Sequence, residues 1–325
     1  MKPNIIILCD GGLASSTEDE LDTYKQATNV LAALQRLGYE AAIHPFTNPQ
    51  QLLLDCQRWD AHTLVFNLVE NYIGAPFLHV VPLITRHCHI QCTGGDAASL
   101  FFSGDKVLAK QRLLSSGIAT PPVVGVKGVP LEEFVGKNVI MKPYDQEGSV
   151  GISDESVFAC SSIQQIEQLF AKAQKEHLMI EQYIEGDEFN ISLMSVHGNV
   201  LVLPIAQIIF TDYPKGKPQI VNYKAKWEED SFEYKNTNRS FDLSAHNLAL
   251  ITSLQTYAQS CWDVFGKCSY ARVDMRVDRE GTIWVLEINI NPSIAPDSGF
   301  IAACQKGGFS YDEVIELLVQ EALDA

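Results

Sequence analysis

The stretch Tyr270-Ala271-Arg272-Val273-Asp274-Met275-Arg276-Val277 leads through Asp278-Arg279-Glu280-Gly281 into Ile283-Trp284-Val285-Leu286-Glu287-Ile288-Asn289-Ile290-Asn291-Pro292. Two apolar, β-branched runs about an Asp-Arg-Glu-Gly turn read as a strand pair over 268–277 and 282–288. Residues two apart on a strand face the same side, so Arg272 points with Asp274, and Glu287 points with Asn289. The turn sets these polar pairs on neighbouring strands inside otherwise apolar sequence. Two carboxylates and an amide oxygen are hard donors, suited to a Mg²⁺ that also holds phosphate oxygens. A solvent-facing polar stripe is the bland alternative; the apolar neighbours and the Asn291-Pro292 stop weigh against it.

Outward from this pair, residues 96–116 read as two short helices, the second opened by Asp105-Lys106, and Thr120-Pro121-Pro122 stops helix. The grammar then changes to a small α+β unit with strands at 138–142, 155–159 and 178–182 and a helix at 162–176. Lys142-Pro143 ends the first of these strands, and Gly148-Ser149-Val150-Gly151 follows. Closely spaced glycines let backbone N–H groups approach phosphates, and a strand-end lysine neutralises them. Many strands end in Lys-Pro, so alone this is weak. Glu181-Gln182-Tyr183-Ile184-Glu185-Gly186-Asp187-Glu188 joins that unit to a hairpin over 188–196 and 199–206. Its backbone can meet a base edge and an acid can take ribose hydroxyls; an ordinary acidic turn reads equally. The polar stretch 211–240, holding Tyr223-Lys224-Ala225-Lys226-Trp227, is long for a loop and reads as a lid. Helices at 244–265 and 310–323 complete the C-terminal part.

The first 95 residues alternate short strands (4–9, 40–44, 62–68) with helices (from about 21, 49–57, 77–86). That spacing means βαβ units and a parallel, Rossmann-like sheet. On the first helix, Leu21, Tyr24, Thr28, Leu31 and Leu34 are expected on the buried face, with Gly38 capping its end. His87-Cys88-His89-Ile90-Gln91-Cys92 lacks paired Cys-x-x-Cys spacing and reads as a structural strand rather than a metal cluster. No G-x-S-x-G elbow supports nucleophilic serine catalysis.

Composition narrows the class. The chain has 325 residues, so two or three domains are expected, and 46% hydrophobic content excludes global disorder. A formal charge of −16 repels phosphate backbones, so no nucleic-acid partner is expected. The eight scattered cysteines show no disulfide framework. No apolar stretch approaches a membrane-spanning length and none resembles a signal peptide. A cytoplasmic protein with no membrane partner is the resulting expectation.

Order and spacing decide more than any single motif. Asp105-Lys106, Lys142-Pro143, Gly148–Gly151, Glu181–Glu188, Lys226, Arg272-Val273-Asp274, Glu287-Ile288-Asn289, Asn291-Pro292 and Ser298 together resemble the ATP-grasp superfamily. Within it, the chain is similar to the D-alanine–D-alanine ligase family, strongly from about residue 93 onward and weakly before. The resemblance implies an α/β fold, α+β in its C-terminal part. It would consist of a Rossmann-like domain (1–95), a central ATP-grasp subdomain (96–186) and a C-terminal subdomain with the Mg²⁺ site (187–325). It implies ATP between the last two, with Lys106 and Lys142 on its phosphates. Glu181, Gln182, Tyr183 and Ile184 would meet the adenine, and Glu188 the ribose. Lys226 from the lid, Ser149 from the 145–151 loop and Arg272 would serve catalysis. Asp274, Glu287 and Asn289 would carry Mg²⁺, with Mn²⁺ as a substitute, and Ser298 with Gly299 would hold a substrate carboxylate.

The activity so implied is amide-bond formation between small amino-acid-like substrates through an acylphosphate, in a homodimer. Departures fall on the first substrate. The family's Glu in the N-terminal glycine-rich loop has no firm counterpart in Gly11–Glu20, Gly148 replaces a Ser, and Trp227 replaces a Tyr. Phe66-Asn67-Leu68-Val69-Glu70-Asn71 replaces a histidine-glycine segment. An authentic D-alanine–D-alanine ligase and an ATP-binding regulatory protein without activity stay open as alternatives.

Overall fold

The computed structural model describes residues 2–10, 18–70, 77–146, 148–266 and 268–325, with side chains in the first helix from residue 21. The Gly11–Glu20 loop expected to bear on the first substrate therefore lies outside the described side chains.

The N-terminal part runs β1 (Asn4–Asp10), α1 (Glu18–Arg36), β2 (Ala41–Phe46), α2 (Pro49–Cys56), β3 (Thr63–Leu68), α3 (Val80–His87) and β4 (Gln91–Cys92). Its strands are parallel in the order β2-β1-β3-β4. Both faces are covered, which explains the unbroken apolar run Ile5–Cys9. The buried face of α1 is Thr23, Gln26, Ala27, Val30, Ala33 and Leu34, whereas Tyr24 and Thr28 are exposed. The face expected from Leu21, Tyr24 and Thr28 is therefore rotated, because small residues, Ala27 and Ala33, set the close approach to the sheet. His87 ends a helix rather than sitting in a strand, and only Gln91 and Cys92 pair with β3. The strand expected over 87–92 is thus confined to its last two residues.

Two short helices, α4 (Ala97–Ser103) and α5 (Lys106–Ser115), lead into an antiparallel sheet of β5 (Asn138–Pro143), β6 (Val157–Ala159) and β7 (Leu178–Gln182), backed by α6 (Ile163–Lys175). The larger antiparallel sheet holds β8 (Gly186–Val196), β9 (Asn199–Val202), β10 (Ala206–Phe210), β11 (Thr237–Ser240), β12 (Tyr270–Asp278) and β13 (Ile283–Ile290). The expected second hairpin arm splits: β9 pairs with the outer half of β8 and β10 with the inner half, Pro204 standing between them. The polar stretch 211–240 is not an extended loop. It contains α7 (Tyr223–Trp227), α8 (Phe232–Asn236) and β11. The long helix α9 (Leu248–Phe265) buries Leu254, Ala258, Cys261 and Phe265 against the inner residues of β8, β12 and β13.

Two C-terminal helices, α10 (Gly299–Lys306) and α11 (Tyr311–Asp324), share one apolar core with α1 and the parallel sheet. The chain thus returns to its own beginning. A second tie lies at Gly94-Gly95, where the Asn291 amide oxygen accepts from the Gly95 N–H at 2.8 Å. A Cβ on Gly94 would lie 2.3 Å from that oxygen, so no side chain fits there.

Candidate active site

The register of β12 and β13 pairs Arg272 with Asn289 and Asp274 with Glu287, on one sheet face. An irregularity between Asp274 and Met275 ends this regular pairing. On the other flank of β12, Asp274 faces Asn190 of β8, whose amide donates to Asp274 Oδ1 at 2.8 Å. Asn289 Nδ2 donates to Asp274 Oδ2 at 3.1 Å and to Glu287 Oε1 at 3.3 Å. Arg272 grips both oxygens of Asp274, at 2.7 and 2.8 Å. Two carboxylates and two amides therefore converge, as the two-residue spacing required. Asn190 was invisible in sequence because nothing local marks a lone Asn in an apolar strand.

Lys106 starts α5, whose N-cap Asp105 accepts from the N–H groups of Val107 and Leu108. Its Nζ donates to the Gln146 carbonyl at 2.6 Å and stands 3.6 Å from Glu287 Oε2. Burial alone would push the Glu287 carboxyl upward, but Lys106, Lys142, Lys226 and Arg272 outweigh it and hold it far below the usual range. Groups from α5, β5, α7 and β12 thus act electrostatically on one carboxylate, and Lys106 comes within 3.6 Å of it.

Beneath them lies a buried triad. Glu181 takes Lys142 on one oxygen and Lys110 on the other, each at 2.7 Å. Lys110 also donates to Thr120 Oγ1 at 2.9 Å and to the Leu286 carbonyl at 2.8 Å. Burial lowers the Lys110 ammonium to about 8, with Lys142 adding to the fall and Glu181 resisting it. For Glu181 burial pushes upward, yet the two lysines bring the net shift below its ordinary value. Lys110 escaped sequence reasoning; its place one helical turn after Lys106, on the same face, is the available signal.

At the far end of the same sheet face, Arg276 is buried opposite Glu188. It donates to Glu188 Oε2 from Nε (3.1 Å) and Nη2 (2.8 Å), to the Ile184 carbonyl at 2.6 Å, and to the Gln219 carbonyl. Its guanidinium also lies over the Tyr183 ring, 5.1 Å from the centroid. Glu188 thus reaches the cleft already paired, with both bonds on one oxygen. The Tyr183 and Gln182 N–H groups bond to Asn138 and Pro122, so the segment after β7 is pinned along its length.

The two expected covers are joined. Ser149, at φ +62°, donates from Oγ to the Val221 carbonyl at 2.7 Å, and Trp227 Nε1 donates to the Gly148 carbonyl at 2.9 Å. The Tyr223 N–H reaches the Ile152 carbonyl at 3.1 Å, and Lys217 bridges Asp154 and Glu233. Ser298 caps α10, its Oγ accepting from Ile301 N at 3.3 Å, which leaves the Gly299 amide at the open first turn. Nearby, Gln26 links Asp22 (2.9 Å), Glu70 (3.0 Å) and the Ile294 N–H (3.0 Å). This brings two acids from the parallel domain beside the approach to Ser298.

The donor set of Asp274, Glu287 and Asn289 fits a hard divalent cation, with phosphate oxygens and water completing its shell. Among the described residues no cluster of three His, Cys, Asp or Glu exists that would hold a metal alone. No helix among them is long and apolar enough to cross a membrane.

Lysines converging on a sheet-borne carboxylate–amide cluster, between two antiparallel sheets, define the ATP-grasp class of ATP-dependent ligases. Residues 129–320 match the family model for the D-ala D-ala ligase C-terminus, and the chain belongs to that family. A D-alanine–D-alanine ligase of Thermotoga petrophila is 25% identical over 323 residues, covering 98% of this chain and 97% of that one. An uncharacterised protein of Sinorhizobium fredii is 27% identical over 305 residues, covering 91% and 87%. The fold matches the crystal structure of the Bacillus anthracis D-alanine–D-alanine ligase with a TM-score of 0.74 at 19% identity, over 99% of this chain and 98% of that one. The ATP complex of the same ligase gives 0.73 at 18% identity, over 99% and 97%. Members of the family are ATP-dependent enzymes that form a peptide bond, and so is this chain.

Proposed function

We propose that the protein joins two small amino-acid-like substrates through an acylphosphate, with ATP and Mg²⁺. The observation that carries this is the convergence of Asp274, Glu287 and Asn289 on one sheet face, with Lys106 3.6 Å from Glu287 and Lys142 held beside it by Glu181. In the first step a substrate carboxylate oxygen attacks the γ-phosphorus as the bond to ADP breaks. In the second, an amine attacks the acyl carbon, phosphate leaves, and the nitrogen gives up a proton. Bound Mg²⁺, held by Asp274, Glu287 and Asn289, would supply charge neutralisation for the transferring phosphoryl group.

The chain's own residues do the rest. Lys106 and Lys142 offset phosphate charge. Glu181 through Ile184 carries the adenine, with Glu188 on the ribose. Lys226 and Ser149 close the covers and exclude water from the acylphosphate. Arg272 faces the developing oxyanion, and Ser298 with Gly299 receives a carboxylate. The domain limits at 95 and 186, a cytoplasmic homodimer, and the absence of nucleic-acid and membrane partners belong to the same reading.

The test is ADP and phosphate release with ATP and Mg²⁺ across D- and L-amino acids, singly and in pairs, with products identified by mass. An amide product from any pair supports the ligase. D-Alanine alone yielding D-alanyl-D-alanine would make it an authentic D-alanine–D-alanine ligase, as its curated relatives are named. ATP binding with silence across the panel would leave a regulatory protein.

A further inference from the structure

On the ligase reading above, we propose that Lys110 is a positioning residue for the nucleotide: by taking one oxygen of Glu181, it keeps the charge of Lys142 available to the phosphates. Lys110 itself is closed to any ligand. It is 1% exposed, and its ammonium meets Glu181 Oε2 at 2.7 Å, the Leu286 carbonyl at 2.8 Å and Thr120 Oγ1 at 2.9 Å. That is one partner for each of its three N–H groups. Lys142 meets the same carboxylate through Oε1, also at 2.7 Å.

Two ammonium groups against one carboxylate leave this triad with one net positive charge. Lys110 keeps its proton at neutral pH, because burial lowers it only to about 8 with Glu181 opposing the fall. A Lys142–Glu181 pair alone would be neutral, and its ammonium would be drawn onto both carboxylate oxygens rather than outward. With Lys110 on the second oxygen, and all its donors spent inside the protein, the surplus charge is left at the Lys142 end. Two further ties make Lys110 a hub. Lys106 stands one helical turn before it on α5, and Leu286 directly precedes Glu287 on β13. One buried ammonium thereby joins α5, β7 and β13 where Lys106 comes within 3.6 Å of Glu287. A plain structural pin is the competing account, and it predicts losses that follow stability rather than charge.

The experiment measures ATP binding by calorimetry, with Mg²⁺ and without amino acids, and denaturant unfolding of the same full-length chains. The wild type is compared with Lys110→Met, Lys110→Gln, and Lys110→Gln combined with Glu181→Gln. Both neutral replacements should weaken ATP about tenfold and by similar factors. Their stabilities should differ, since Gln can still donate to the Leu286 carbonyl and Met cannot. In the double variant Lys142 is again uncompensated, so it should bind ATP more tightly than Lys110→Gln alone. If Lys110→Met does not fold, Lys110→Gln and the double variant carry the comparison. Unchanged affinity in a folded single variant, affinities that track stability, or a double variant that binds no better than the single one would each overturn the assignment. The readout needs no turnover, so it is separate from the choice of amino acids. A wild type that binds no ATP defeats the ligase reading itself, and the role of Lys110 falls with it.

Discussion

Strand β12 carries Arg272, Asp274 and Arg276 on one face, and the two ends of that row are built on opposite plans. At the Arg276 end the charges are closed. The residue is 3% exposed, and its side chain bonds to Glu188, Ile184 and Gln219. At the Asp274 end the groups are half-closed: Arg272 and two amides orient the carboxylates, while Lys106 stops 3.6 Å short of Glu287. A saturated ion pair fixes geometry, whereas an incompletely satisfied cluster retains affinity for a ligand's charge. On the proposed function, the same strand would supply a rigid rest for the base and a receptive seat for the phosphates.

Substitutions at four positions test that contrast. Glu287→Gln removes a charge from the receptive end and should cut kcat for ADP formation about 10³-fold, with circular dichroism unchanged. Turnover within a few-fold of wild type would break the comparison outright. Glu181→Gln strikes the buried support, stranding Lys110 and Lys142, and should cost about 3–5 kcal/mol in denaturant unfolding.

It also carries a pH signature. Glu181's folded pKa lies below its ordinary value, so the unfolded chain binds more protons in that window. Its stabilisation is complete above the ordinary carboxylate range and is lost as pH falls through the folded value. The Gln variant should therefore lose less stability on acidification than the wild type. An equally steep loss would assign the acid sensitivity to other carboxylates.

Arg276→Met opens the closed end and should raise KM for ATP about tenfold while leaving kcat within a few-fold. Arg276→Lys should not restore it, because one ammonium cannot reproduce the forked contacts. A selective fall in kcat would mean that Arg276 acts on the reacting atoms instead. The smallest effect is expected of Trp227→Phe, which loses only the bond to Gly148, about 1 kcal/mol or a few-fold in KM for the amino acids. An effect on KM for ATP alone would place Trp227 on the nucleotide side.

The receptive end was the readable one. Arg272, Asp274, Glu287 and Asn289 announce themselves because strand period and a short turn convert two-residue spacing into a shared face. The long helices and parallel strands were readable for the same reason. Arg276 sits on the same strand, yet its meaning depends on Glu188, 88 positions away, and no local pattern shows such a partner. Lys110 and Asn190 share that handicap. Helix α10 went unread because eight residues after a Pro-rich turn carry little periodicity. The rotated face of α1 shows the other weakness: large residues suggested burial where small ones, Ala27 and Ala33, made the contact.

The joined covers have a consequence in time. Ser149, Trp227, Tyr223 and Lys217 tie the 148–154 segment to the 213–227 segment at four separate points. We expect the two segments to lift together, with opening of this latch rather than the chemistry setting the turnover number. Chemically different acceptors should show nearly one turnover number, preceded by a rapid first-cycle burst of ADP, and the absence of that burst would return the slow event to the chemistry.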